Sequence, residues 1–322
     1  MRKEDILKLL RAEKGYVSGE KISERLGISR TAVWKHINSL KKEGYNISSV
    51  SRRGYIFKES DILNADEIAD RLKTEIIGKE IVFVSETDST NNMAKRNSER
   101  GDGTVFAADR QTAGRGRSGK KWLSADSGGL FMSILLKPDL PPDSLSTMTL
   151  VVGLAVTKAL RKLTGEEICI KWPNDIVLNK KKLCGILCEM SAEVGMLNYV
   201  VCGIGVNVGN EKFPEEIDKV ACSVKSETGK TLLRSAVCAE ILNTFEKVYK
   251  QFLTDGISPL ISEYKKYCIT LGRDVTVIKR GETYRAYAMD VNDSGELVVS
   301  TTDGTETLYS GEVSVRGLLG YV

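Results

Sequence analysis

Residues 111–122 read QTAGRGRSGKKW. Arg115, Arg117, Lys120 and Lys121 stand there among Gly114, Gly116 and Gly119, and Trp122 closes the stretch. Glycine lets a backbone approach a ligand closely, and two arginines spaced by one can meet anionic oxygens with bidentate forks. Phosphate binding is one chemistry open to such a stretch. An RNA-binding segment and a plain basic loop are the others. It is not a Walker A loop, because G-x-x-x-x-G-K-[ST] does not occur.

Three more stretches hold polar residues that a folded core does not need. Ser89, Thr90 and Asn91 place three hydrogen-bonding side chains where a strand meets a helix, and a helix cap accounts for only one of them. Lys171-Trp172-Pro173-Asn174-Asp175 reads as a stiff, extended exit from a strand, with Asn174 and Asp175 at its end. Asp175 is a carboxylate able to hold a magnesium ion that in turn holds phosphates; an Asx-type turn is the plainer explanation. Lys182 starts a strand in which Gly185 leaves room for a flat ligand, although Lys180–Lys182 also fits a solvated hairpin tip. Gly203-x-Gly205-x-x-x-Gly209 has the wrong spacing for a dinucleotide fingerprint and reads as a buried strand entering a loop, with Asn207 within reach of a ligand.

Composition removes several alternatives. The only histidine is His36, so a Ser-His-Asp triad or a histidine-built metal site has no material elsewhere. Seven scattered cysteines without a C-x-x-C read as small buried hydrophobes; Cys184 and Cys188 share one strand face. No apolar run approaches membrane-span length, and the start lacks a signal-peptide segment, so a cytoplasmic protein is expected. Residues 1–58 hold 14 basic and 6 acidic side chains, a surplus of 8; the net charge of +4 therefore leaves −4 on the remainder. A basic head on a mildly acidic body assigns polyanion binding to the head.

In that head, Ile6, Leu9 and Leu10 recur at helical spacing. Ser18 caps a second helix that Gly27 ends, and Ser29 caps a third that buries Val33, Ile37 and Leu40. This reads as a helix-turn-helix over Gly19 to Asn38, with Arg30, Thr31, Trp34, Lys35 and Asn38 turned outward where bases and phosphates could be read; a three-helix interaction module with a solvated charged face is the plainer alternative. The run Tyr45–Phe57 is a hairpin wing tipped by Arg52 and Arg53.

A linker at Glu59–Asn64 leads into the body. There, helices are expected at Asn64–Leu72, Ser144–Leu163, Leu232–Phe252 and Ser258–Tyr267, the second being the central buried one. Strands are expected at Ile81–Val84, Thr104–Ala108, Leu130–Leu136, near Ile168, at Leu183–Glu189 and at Val200–Ile204. The loop of residues 111–122 runs on to about Ser127. The last fifty residues read as four short strands punctuated by turns, a small SH3-like β-barrel.

Gly114-Arg115-Gly116-Arg117-x-Gly119-x-x-Trp122, Lys171–Asp175, Lys182-Leu183-x-Gly185-Ile186-Leu187-x-Glu189 and Asp88–Asn91, in this order and spacing, resemble the biotin protein ligases, in the form that doubles as a repressor of the biotin operon. The resemblance covers nearly the whole chain. It implies an α+β, multidomain protein: winged helix-turn-helix at 1–60, a class II synthetase-like catalytic domain with a central mixed sheet at 61–270, and the SH3-like domain at 271–322. It implies biotinyl-5′-adenylate formation from biotin and MgATP, then biotin transfer to a lysine of a biotin carboxyl-carrier protein such as an acetyl-CoA carboxylase subunit. Ser89, Thr90, Asn91 and Gln111 would serve the ureido ring, and Gly114, Gly116 and Gly185 would line the biotin site. Arg115, Arg117 and Lys182 would serve catalysis, Lys182 bridging carboxylate and phosphate, and Trp122 would cover the adenylate. Lys120, Asn174, Asp175 and Asn207 would handle ATP, Mg2+ and ribose. Ser118 and Lys120 stand where the family often has arginine. The resemblance further implies a ligand-promoted homodimer on a palindromic operator, with the adenylate as corepressor. A ligand-sensing repressor without ligase activity, and a lipoate or octanoate ligase of the same fold, are the competing readings.

Overall fold

The structure, a computed structural model, describes residues 3–13, 15–123, 128–141, 145–193, 196–279, 281–310 and 313–317. Ser127 and Ser144, the expected loop end and helix start, lie outside them. The chain divides into two compact units, Met1–Ile62 and Leu63–Val322.

The first unit is α1 (Lys3–Ala12), α2 (Gly19–Leu26), α3 (Arg30–Lys42), β1 (Ile47–Val50) and β2 (Gly54–Phe57). Ser18 Oγ accepts from Lys21 N at 3.1 Å and Ser29 Oγ from Ala32 N at 3.2 Å, so both hydroxyls satisfy helix-end donors. Gly27 ends α2 in the left-handed region. Val33, Ile37 and Leu40 bury one face of α3, as their spacing predicts; in α1 Leu7 is buried where Leu9 is expected, and Leu9 packs at the edge. β1 and β2 form the antiparallel wing.

The second unit opens with α4 (Ala65–Ala69), shorter than expected, then β3 (Ile81–Thr87), α5 (Thr90–Arg96), β4 (Val105–Gln111), β5 (Gly129–Leu136) and α6 (Leu145–Thr164). β6 (Cys169–Lys171), β7 (Asp175–Leu178), β8 (Lys181–Glu193) and β9 (Met196–Asn207) follow, then α7 (Val224–Thr228), α8 (Arg234–Asp255) and α9 (Ser258–Tyr267). The chain finishes in β10 (Arg273–Lys279), β11 (Glu282–Val291), β12 (Leu297–Thr301), β13 (Gly304–Leu308) and β14 (Val313–Gly317). The central sheet is ordered β3-β4-β5-β9-β8-β7-β6, with β3 and β4 parallel and the other pairs antiparallel.

Alternation along the strands assigns the two faces of this sheet different work. Leu130, Met132, Ile134 and Leu136 of β5 join Cys202, Ile204 and Val206 of β9 in the main core, which also holds residues of α6 and α8. Leu135 and Val201 pack with Met93, Ala94 and Phe106 in a smaller cluster built by α5. Burying each large apolar side chain stabilises the fold by roughly 1.5–3 kcal/mol. The strands β10–β14 form an SH3-like antiparallel sheet ordered β13-β12-β11-β10-β14, one strand more than expected, and its apolar face belongs to the main core.

Two expectations are corrected here. The Trp172–Pro173 bond is cis, and the chain reverses there instead of leaving extended; Lys171 pairs with Asp175 across a tight hairpin, and β7 is a strand the sequence reading lacked. Five cysteines are buried, but Cys169 and Cys188 are only half-buried.

Candidate functional site

The face of the sheet on the α5 side carries Ser133, the odd-numbered residues of β9 from Tyr199 onward and their register partners on β8. Gly205 lies opposite Gly185 and Phe131, and Gly203 lies opposite Leu187 and Ser133. Three glycines therefore clear side chains from the middle of this face. A cavity of about 470 Å³ stands over it. Ser89, Thr90, Asn91, Gln111, Arg115, Gly116, Arg117, Lys120, Trp122, Asn174, Asp175, Lys182, Gly185 and Asn207 all line it, so the four stretches and Asn207 converge on one space. Gly114 stands behind the wall: a Cβ there would lie 2.6 Å from the Trp122 carbonyl oxygen.

The stretch 111–122 has more regular structure than a loop. Gln111 is the last residue of β4. Arg115 and Lys121 form an antiparallel bridge, Gly116 N donates to Lys120 O at 2.7 Å, and Trp122 N donates to Gly114 O at 2.9 Å. Ser118 (φ 53°) and Gly119 (φ 73°) both take positive φ, and Lys120 N donates back to Arg117 O at 3.1 Å. This register leaves Arg117, Ser118 and Gly119 as a three-residue tip, with positive φ at its last two positions. Ser118, the departure from the common arginine, is thus a turn residue.

The hairpin aims its arginines differently. Arg115 donates to Asn92 Oδ1 at 3.0 Å and pairs with Glu189 at 3.3 Å. Arg117 donates to Asn174 Oδ1 at 3.1 Å and to the Ser310 carbonyl beyond β13, so the C-terminal sheet helps hold it. Burial lowers the Arg117 pKa from the ordinary arginine value, while the nearby Asp175 carboxylate acts in the opposite sense; the guanidinium stays charged at neutral pH. Asn174 also donates to Ile186 O at 2.9 Å, so both ends of its amide hold protein groups. Asn207 Nδ2 likewise donates to Cys222 O at 3.0 Å.

Lys182 lies in β8 beside a bulge and pairs with Asp175 at 2.7 Å. Its Nζ stands 5.5 Å from the centroid of the Trp122 ring. The flat space over Gly185 is taken by Trp122 itself: a Cβ on Gly185 would lie 2.6 Å from the indole, and one on Gly205 would lie 2.9 Å from it. The indole N–H is buried and meets no acceptor. Among the described residues, Arg115, Arg117, Lys120, Lys121, Lys171 and Lys182 line the cavity with one carboxylate, Asp175. Such a wall favours a polyanionic ligand.

Around the start of α5 the lining side chains Ser89, Thr90, Asn91 and Gln111 are neutral, with Arg115 reaching their neighbours Asn92 and Glu189. Ser89 is the N-cap of α5 but makes no capping bond with its side chain. Thr90 N donates to Gln111 Oε1 at 2.8 Å. Behind them lie Ser133 and Glu189, to which sequence reasoning gave no role. Ser133 had a visible signal: it is the lone polar residue in a wholly buried strand.

The first unit holds a second concavity of about 680 Å³ between the start of α3 and the wing, lined among others by Arg30, Thr31, Trp34 and Arg52. Lys35 and Arg53 are exposed outside it, Asn38 is half-buried, and Arg53 lies over the Tyr16 ring.

Three family models match the chain: the Biotin/lipoate A/B protein ligase family at residues 82–207, an HTH domain at 2–56, and the Biotin protein ligase C terminal domain at 270–316. The bifunctional ligase/repressor BirA of Bacillus subtilis is 37% identical over 320 residues, 98% of each chain. That of Escherichia coli is 29% identical over 309 residues, 95% of each. Among solved structures, the biotin protein ligase of Aquifex aeolicus in complex with biotin and ATP matches with a TM-score of 0.67 and 32% identity, over 74% of this chain and 99% of that one.

Proposed function

This chain belongs to the family of bifunctional biotin protein ligase/repressors, and from that premise we propose that it joins biotin to ATP in the cavity of the second unit, transfers biotin to a carrier protein, and represses transcription through the first unit. The observation that carries the reading is the convergence of four separate stretches on one cavity, lined by cationic side chains together with neutral hydrogen-bonding ones.

In the first step a biotin carboxylate oxygen attacks the α-phosphorus of ATP. The bond to pyrophosphate breaks, and biotinyl-5′-adenylate forms. Two anions must meet, and negative charge grows on the phosphoryl oxygens. Arg115, Arg117, Lys120 and Lys182 offset that charge, with Lys182 between carboxylate and phosphate. Ser89, Thr90, Asn91 and Gln111 serve the ureido ring, Trp122 packs against the adenylate, and Asn174 and Asn207 shape the nucleotide side. In the second step the lysine amine of the carrier attacks the acyl carbon, an amide forms and AMP leaves. Neither step requires a covalent enzyme intermediate or a histidine base.

Magnesium enters as part of the substrate. Among the described residues Asp175 is the one lining carboxylate, and no cluster of three histidine, cysteine or acidic groups is found. This suits an ion brought in on the triphosphate and held by one carboxylate plus phosphate oxygens. Asp175, now paired with Lys182, would be the residue to hold such an ion, leaving Lys182 to the reacting groups.

For the repressor arm, adenylate in the cavity promotes a homodimer whose paired helix-turn-helix units read a palindromic operator. Two assays test the whole. Mass spectrometry of a carboxyl-carrier domain incubated with ATP and biotin, lipoate or octanoate should show only the biotinyl mass. Operator gel shifts should tighten with biotin plus ATP. Transfer of another acid, or DNA affinity indifferent to ligand, would overturn the corresponding half.

A further inference from the structure

Asn91 is buried between two partners of opposite kind. Its Nδ2 donates to Glu189 Oε2 at 2.8 Å and to the Leu187 carbonyl at 3.1 Å. Its Oδ1 lies 2.6 Å from Ser133 Oγ. Glu189 also pairs with Lys95 at 2.6 Å and with Arg115 at 3.3 Å. Burial alone would raise the Glu189 carboxyl, but the hydrogen bonds from Lys95 and Asn91 and the Lys95 and Arg115 charges hold it below the usual carboxylate range.

An ionised carboxylate only accepts, so it fixes which end of the Asn91 amide faces it. Both Nδ2 protons are then engaged, and Oδ1 must accept. Ser133 has one proton, which goes to Asn91. Ser133 Oγ also lies 2.8 Å from Thr90 Oγ1, and with its own proton committed it can only accept there. Thr90 therefore gives its proton to Ser133 and not to Gln111 Oε1 at 3.3 Å. Lone pairs are what Thr90 has left for the cavity. Gln111 Oε1 is held by the Thr90 backbone N–H at 2.8 Å, which leaves the Nε2 protons as the free end of that side chain.

We propose that Glu189 and Ser133 are specificity-determining positioning residues that impose one proton order on the chain Glu189–Asn91–Ser133–Thr90. The order makes the cavity wall around the start of α5 an acceptor at Thr90 beside a donor at Gln111, the complement of an N–H next to a C=O. Neither residue lines the cavity. The inference rests on the biotin ligase reading, whose substrate carries a cyclic urea. A dithiolane or methyl terminus offers neither group and would leave both protein groups unpaired, which is the strong form of discrimination.

The test is calorimetric titration of the full chain with biotin and, separately, with ATP. The proteins are wild type, Ser133→Ala, Glu189→Gln and the double variant. With Ser133 gone the Thr90 proton is free to rotate toward the cavity, and the Kd for biotin should rise about tenfold. Glu189→Gln should act in the same direction. The double variant should fall well short of the product of the two singles, because both act through one chain. The Kd for ATP should stay at the wild-type value in Ser133→Ala, a separation that general loosening of the fold would not give. Biotin affinity unchanged in Ser133→Ala, or effects that multiply independently, would overturn the proposal. Should Glu189→Gln fail to fold, Ser133→Ala decides alone, since it leaves the ion pairs of Glu189 in place. A wild-type chain that does not bind biotin would instead overturn the ligase reading.

Discussion

Replacing Lys182 by methionine keeps the unbranched stem and removes only the charge. The backbone at this position is secured independently, by Lys182 N donating to Val220 O at 2.7 Å and Cys222 N donating to Lys182 O at 2.9 Å. The ammonium lies 2.7 Å from Asp175 and over the Trp122 ring, within the cationic wall. Removing one preorganised donor aimed at developing charge slows the chemical step by roughly 100- to 1000-fold. Stability should change far less. The two side chains are 27% and 17% exposed, and Arg117 still offers Asp175 a positive neighbour, so a full buried-pair penalty is discounted to about 1 kcal/mol. Pyrophosphate release at saturating biotin and MgATP, beside a thermal melt, measures both quantities. The expected result is a melt within a few degrees of wild type and turnover lower by two orders of magnitude or more. Turnover within tenfold of wild type would refute the role of Lys182. A collapsed melt would refute the claim that the backbone holds the site without it.

Alanine at Gly203 would set its Cβ 2.1 Å from Asn91 Oδ1. Asn91 must shift, so stability should fall by about 1–3 kcal/mol and biotin affinity with it; wild-type titrations would contradict this floor geometry. Alanine at both Arg52 and Arg53 should lower the salt slope of operator binding by about 2 without changing ligase turnover; an unaltered slope would show that the wing does not contact phosphates. Glu246 accepts the backbone N–H groups of Glu75, Ile76 and Ile77 at 2.7, 2.9 and 2.8 Å. Burial acts to raise its pKa, but these bonds and Lys250 leave it lowered from 4.5. A lowered folded value means that its stabilisation is complete above about pH 4.5 and fades as the pH falls through the lower folded value. The stability gap between wild type and Glu246→Gln in urea titrations should therefore be widest near neutrality and narrow in acid; a gap independent of pH would contradict this.

Much of the site was legible because its chemistry is local. Arginines among glycines, three adjacent hydrogen-bonding side chains and a lysine before a glycine each announce themselves within a few residues. Gly203 and Gly205 were visible too, but a nucleotide-fingerprint test could only reject them. Their purpose is a bare sheet face, which exists only once β8 and β9 are in register. Ser133 and Glu189 went unassigned for a related reason. They act through Asn91, and that contact joins residues over 40 and nearly 100 positions apart. The β6–β7 hairpin escaped because the residue preference before proline points to extended backbone, whereas the isomer of the imide bond is set by tertiary context. β14 is a short strand that depends on β10 as its partner.

The resting place of Trp122 also makes the protein its own optical reporter. The chain has three tryptophans in three surroundings. Trp34 is 57% exposed on α3; Trp172 is buried, with its N–H on the Gly295 carbonyl; Trp122 lies on bare strand backbone under an ammonium group. Emission from Trp122 must respond to whatever enters the cavity, because its neighbours there are a cation and an unfilled N–H. Trp34, exposed on α3, would report a polyanion bound along that helix, whereas Trp172 packs in the core yet also lines the same cavity, so its emission overlaps that of Trp122. Phenylalanine at Trp34 and Trp172 would leave Trp122 as a single reporter of what enters the cavity.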